Sequence, residues 1–230
     1  MATAVPTSPR RAAPPERSPT ARRPDPRRVL AWAGPITEHR RALLAMNLLY
    51  WCDALLTALY GLAHPELQRA LNDAAGVAFG ATGPFALVGS AYGTGQTLRA
   101  IALTFVVNLL LGSFAFLTVP SAILPFFGLL AGVYRAALWG LLFAPAGALP
   151  LGALLLHLPT IAIEGEAYVV AMLGVWLWWW PVVTTPGGRL RAWRAGLRLQ
   201  ARVYAAVALL LAVAAVYEAL ELIYLVPHFS

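Results

Sequence analysis

The run Ile161-Ala162-Ile163-Glu164-Gly165-Glu166-Ala167-Tyr168 sets two carboxyl groups inside an otherwise apolar stretch. An ionised acid in hydrocarbon costs several kcal/mol unless it faces a partner, a bundle interior or water. Such a pair therefore marks a place where protons, a bound cation or a basic group of a partner must balance charge. Asp53, Asn108 and Arg135 each interrupt a further apolar stretch, and Glu218 and Glu221 interrupt the last one. Glu218 and Glu221 are three apart and share a helix face. Glu164 and Glu166 are two apart and point about 160° away from each other, so at most one can enter a shared cavity.

Other chemistry is poorly represented. The chain carries no nucleophile–base pair, no His-Glu-x-x-His and no glycine-rich nucleotide signature. Gly93-Thr94-Gly95-Gln96-Thr97 lacks the lysine of a phosphate-binding loop and reads as a flexible turn. His157 can titrate, but no second histidine is placed to share a metal. Cys52 is the sole cysteine, which excludes an intramolecular disulfide, a zinc cluster and a Cys-x-x-Cys pair. Tyr50 and Trp51 before it do not suit lipoprotein modification, so it reads as a small apolar residue in a helix. The expectation is a protein that is not an enzyme and holds neither cofactor nor metal.

The elements that position these groups follow from composition. Hydrophobic residues make up 60% of the 230 residues and charged residues 12%, about half the charge of a soluble domain. Apolar runs of about 20 residues, long enough to cross a bilayer, recur. The fold class is all-α, a polytopic membrane helical bundle. Five spans are expected, at about 42–62, 98–119, 121–143, 158–180 and 203–226, within a membrane domain 29–230. Pro159 is expected to divide the long fourth stretch, with a helix from about Thr160. Residues 1–28, rich in Pro and Arg, lack apolar periodicity and are expected to be disordered.

All 17 basic residues are arginine. Seven lie in 1–28, Arg40 and Arg41 abut the first span, and five lie between Arg189 and Arg202. Charges that flank membrane segments argue for topology signals and anionic-lipid contacts, not for nucleic acid. Five spans place both basic regions on one side, so the N-terminus is expected in the cytoplasm and the protein in the cell membrane. The glycine-rich stretch 72–97 then belongs to a partly membrane-hugging outer loop, Ala63–Thr97, either re-entrant or interfacial. Arginines at 191, 194, 198 and 202 give a basic helical face suited to inner-leaflet headgroups. Trp176, Trp178, Trp179, Trp180 and Trp193 form an interfacial belt, and Gly128 and Gly132 a small-xxx-small helix-packing motif.

On this topology Asp53, Asn108, Arg135, Glu164, Glu166, Glu218 and Glu221 all fall roughly 7–15 Å below the outer surface, at ~1.5 Å per helical residue. Five acids stand against one buried cation, Arg135. The layer can be a structural ion-pair network, a ligand or ion pathway, or a pocket for a partner.

Several short motifs agree in order with one family. Pro159-Thr160-Ile161-Ala162-Ile163-Glu164-Gly165-Glu166-Ala167 resembles the Pro-His-Gly-x-x-Glu-x-x-Ala segment of the stage II sporulation protein M family, with Thr160 and Ile161 in place of His-Gly. Phe105-Val106-Val107-Asn108 with Gly112 is similar to its Phe-x-x-Asn, and Ala214-Ala215-Val216-Tyr217-Glu218-Ala219 to its closing Ala-Ala-x-x-Glu-Ala. Phe127-Gly128 stands where that family tends to show Asn-Gly. The resemblance covers roughly residues 95–226 and marks a divergent member. It implies a multi-span, non-enzymatic protein that scaffolds envelope or cell-wall remodelling partners such as wall hydrolases. The alternative is a transporter or permease subunit with an outward-facing acidic cation or proton site. That alternative suits a homo-oligomer, given the short chain.

Overall fold

A computed structural model of the chain describes residues 34–146 and 150–228. The tail 1–28 and the start of the membrane domain at 29–33 lie outside the described residues. Eight helices follow in order: α1 Gly34–Glu38, α2 Arg40–Ala63, α3 Pro65–Gly80, α4 Pro84–Gly93, α5 Thr97–Ser121, α6 Phe127–Leu142, α7 Leu151–Thr184 and α8 Arg189–His228. The all-α class holds, with no strand among the described residues. Four helices (α2, α5, α7 and α8) are long and apolar enough to cross a membrane, and five spans result if the bent pair α3–α4 counts as one. The protein is a multi-pass membrane helical bundle.

α7 is the central post. In its most apolar stretch 72% of residues are buried, against 11% in α2. It packs on α2, α5, α6 and α8, and Tyr168, Val169, Met172 and Leu173 are fully enclosed. α2 lies at the rim, with Leu44, Leu48, Leu55, Leu56 and Leu59 exposed, as lipid contact requires. α7 and α8 form one long antiparallel hairpin: Gly174 sits against Gln200, Gly196 against Trp178, and His157 against Glu221. The small-xxx-small motif acts as its spacing suggests, since Gly128 meets Val175 and Gly132 meets Met172 where a larger residue would collide.

Three expectations about elements are corrected. Pro159 does not divide the fourth stretch; α7 runs unbroken through Pro159 and Pro181. A proline weakens the backbone ladder one turn earlier, but in a bundle neighbours resatisfy the freed groups. Beside that turn the Tyr217 hydroxyl of α8 donates to the Leu156 carbonyl at 3.0 Å. The third span begins at Phe127, not Ser121, because Pro120 is absorbed into the end of α5 and the chain then turns, with Phe126 left-handed at φ 60°. Ser121 clamps that turn: its hydroxyl donates to Leu117 O at 2.6 Å and accepts from Gly128 N–H at 2.7 Å. The resulting α6 has 16 residues, about 24 Å, shorter than the ~30 Å hydrocarbon core.

The basic stretch 189–202 is not a separate interfacial helix. It is the first part of α8, held to α7 by the Trp178 indole N–H donating to the Trp193 carbonyl at 3.0 Å. Arg191, Arg194, Arg198 and Arg202 are exposed on its outer side. The stretch Ala63–Thr97 is helical rather than irregular: it holds α3 and α4, bent by 88°, the geometry of a broken span or of a re-entrant segment. Pro65 and Pro84 start them, where a missing N–H is harmless, and Gly83 at φ 110° makes the bend.

α5 is unusual in widening to π-helical geometry from Val107 through Thr118. Hydroxyls brace the widened turns: Tyr204 bonds Ser113 at 3.0 Å and Thr118 at 2.6 Å, and Gln200 donates to Thr118 at 3.2 Å. Asn108 lies at its start, and π turns inside α-helices concentrate at functional sites.

Candidate functional site

Polar groups from α5, α6, α7 and α8 converge beneath the α3–α4 bend. Asn108 is the hub. Its Nδ2 donates to Glu164 Oε1 at 2.7 Å, and its Oδ1 accepts from the Arg135 guanidinium and from the Tyr168 hydroxyl, each at 3.4 Å. The Arg135 guanidinium stands 4.1 Å from the Tyr168 ring centre and 5.2 Å from that of Trp139. The two rings thus replace part of the solvation that the cation gave up. Among the described residues Arg135 forms no salt bridge with a carboxylate, and its Nε is buried without a partner. It reaches Glu164 through Asn108.

A second group lies further along the α7–α8 hairpin. The His157 Nδ1 is 3.0 and 3.2 Å from the two Glu221 carboxylate oxygens, and the Thr160 hydroxyl donates to Oε2 at 3.1 Å. Glu221 has no exposed surface. Glu218 stands between the groups, within the field of both Glu164 and Glu221. The distribution of partners is uneven. Glu221 has His157 and Thr160 on both oxygens, whereas Glu164, 4% exposed, has Asn108 on one oxygen and no protein partner on the other.

Two adjoining cavities run through this layer. One of about 250 Å³ is lined by Asn108, Arg135, Glu164, Glu218, His157 and Thr160 on the polar side, with Phe79, Phe85, Trp139 and Phe143 as aromatic walls. The other, about 420 Å³, shares Phe79, Phe143, His157 and Glu218 and continues along Leu154, Leu222 and Val226. The bent pair α3–α4 supplies Phe79, Phe85, Val88, Gly89 and Tyr92 to the walls. The segment expected as a partly membrane-hugging outer loop thus forms one side of the chamber.

Of the seven sequence-derived site residues, Asn108, Arg135, Glu164, Glu218 and Glu221 line this pair of cavities, and two do not. Glu166 points the other way, as its two-residue offset from Glu164 requires, and accepts the Trp51 indole N–H at 3.1 Å. Asp53 stays on α2, its Oδ2 buried without a hydrogen-bond partner. Reasoning from the sequence left His157 unassigned and missed Thr160 and Tyr168. Their signal was present: His157, Thr160, Glu164 and Tyr168 follow at steps of three, four and four, one face of a helix. Starting the helix at Pro159 hid that stripe.

No group of three or more His, Cys, Asp or Glu side chains among the described residues could hold a metal ion. No family model, curated protein or solved structure matches the chain.

Proposed function

We propose that this protein is a transporter or permease subunit whose buried carboxylates take up one positive charge within the membrane. The observation that carries the reading is the gathering of Glu164 and Glu218 in one cavity between the helices. Glu221 has a basic partner of its own, His157, at 3.0 Å. Glu164 and Glu218 then share a cavity with one guanidinium, Arg135, so carboxyl groups outnumber cationic groups there. A buried charge without a counter-charge is expensive, and function is the usual reason it persists. The free oxygen of Glu164 supports the same reading, since a purely structural network satisfies its acceptors.

The residues on which the resemblance to the stage II sporulation protein M family rests support a link with it. Asn108, Glu164 and Glu218 come from three separate motifs and meet in one chamber. Membership of that family as a divergent, non-enzymatic member remains our proposal. Its envelope-scaffold role is the second reading. Docking on wall hydrolases calls for accessible polar groups, and the enclosure of these carboxylates favours transport over it. The arginine distribution supports a cytoplasmic N-terminus and a place in the cell membrane.

Flux of protons or monovalent cations in proteoliposomes, followed with internal pH and ion dyes, tests the proposal. Flux that is present in the native protein and lost in Glu164→Gln supports it. Crosslinking and mass spectrometry from native membranes tests the alternative. A stoichiometric wall hydrolase bound to a protein that passes no ion would transfer the weight to the scaffold.

A further inference from the structure

The chamber that gathers these carboxyl groups is also larger and more aromatic than a bare ion needs. We propose that the charge it takes is carried by a small organic monocation, an ammonium on an aryl or alkyl body. The head group would lie between Glu164 and Glu218, and the body in the apolar continuation of the chamber. This deepens the transport reading and rests on it.

Four observations converge. Glu164 is 4% exposed, and its Oε2 faces the first cavity with no protein donor. An ammonium head has three donors for such acceptors. Glu218 opens onto both cavities, so a ligand held by it at one end reaches the second with its other end. The second cavity, about 420 Å³, is walled mainly by Phe79, Phe143, Leu154, Leu222 and Val226. That is the mixture of apolar walls and a few convergent polar groups that small-molecule sites have. A metal ion or proton would leave this volume unused, and no metal-holding group of His, Cys, Asp or Glu exists among the described residues. The aromatic walls Phe79, Phe143 and Trp139 also favour an organic cation, because a ring face attracts a partly desolvated ammonium.

The test uses the full chain purified in detergent, with 2-phenylethylammonium as probe. Binding is followed by calorimetry and by the thermal midpoint. The expected result is saturable binding, at least about tenfold weaker for neutral 2-phenylethanol and at least about tenfold weaker in Glu218→Gln. In Ala153→Phe, which fills the second cavity, affinity for 2-phenylethylammonium falls while that for methylammonium is unchanged. This second variant keeps all carboxylates, so it separates loss of the apolar subsite from loss of charge. Equal binding of the alcohol and the amine, or equal affinity in Ala153→Phe, overturns the inference. Proton or sodium flux that depends on Glu164, with no amine bound at millimolar levels, overturns it while leaving the transport reading intact. Absence of both defeats the two together.

Discussion

Replacing Glu164 by Gln separates a site kept for function from one kept for stability. The substitution preserves shape and leaves an oxygen to accept the 2.7 Å bond from Asn108. What is lost is the charge on that bond. A hydrogen bond to a charged group contributes about 1.5–3 kcal/mol and a neutral one about 0.5–1.5, so the loss is about 1–1.5 kcal/mol. What is gained is relief from a buried charge that no adjacent cation balances directly, since Arg135 acts only through Asn108. That penalty amounts to several kcal/mol in protein interiors. The second effect is the larger. Glu164→Gln should therefore be as stable as the native protein or up to about 3 kcal/mol more stable. For a chain of this length each kcal/mol moves the thermal midpoint by about 2–4 °C. The midpoint should hold or rise by as much as ~10 °C while cation-dependent flux disappears. The assay is thermal unfolding in detergent, read by intrinsic tryptophan fluorescence, beside flux in liposomes. A fall of more than about 4 °C would refute the reasoning, because it would make Glu164 a member of a structural network whose charge is needed to hold the bundle.

His157→Ala leaves Glu221 buried with Thr160 as its remaining donor, and should lower stability by about 1.5–3 kcal/mol. The double variant His157→Ala/Glu221→Gln should recover about half of that loss, and no recovery would mean that the pair is not coupled. Gly140→Ala brings a methyl into the Ala54 carbonyl and the Thr57 hydroxyl, where α6 packs on α2. A cost of about 1–3 kcal/mol is expected, because backbone cannot yield as a side chain does. Gly76→Ala meets nothing within 4 Å and should be neutral or stabilising by up to about 1 kcal/mol; equal effects of the two would deny the close packing. Cys52 is exposed in the middle of α2. In membranes it should resist a charged maleimide and react with a lipophilic one, and rapid labelling by the charged reagent would place α2 in water.

The sequence by itself determined the class of the protein and named five of the polar groups that line its cavities. Apolar runs interrupted by single acids can be satisfied only as helices in a bilayer, because no other local structure meets its own backbone hydrogen bonds there. The offset of about 160° told Glu164 from Glu166. The tertiary structure decided what local rules leave free. Whether Pro159 ends a helix is not a local matter: α7 continues through it in the middle of the bundle, packed against α8. Whether Ala63–Thr97 lies on the bundle or enters it depends on the 88° bend at Gly83 and on the space that α5, α6, α7 and α8 leave open. Most of all, the sequence set five acids against one arginine and could not say which of them share a field. Hydrogen-bond partners from distant helices divide them: His157 and Thr160 for Glu221, Trp51 for Glu166, Asn108 for Glu164. Those pairings join residues 56 to 115 positions apart, a separation at which only packing of the whole bundle, and not helix period or hydropathy, sets what meets what.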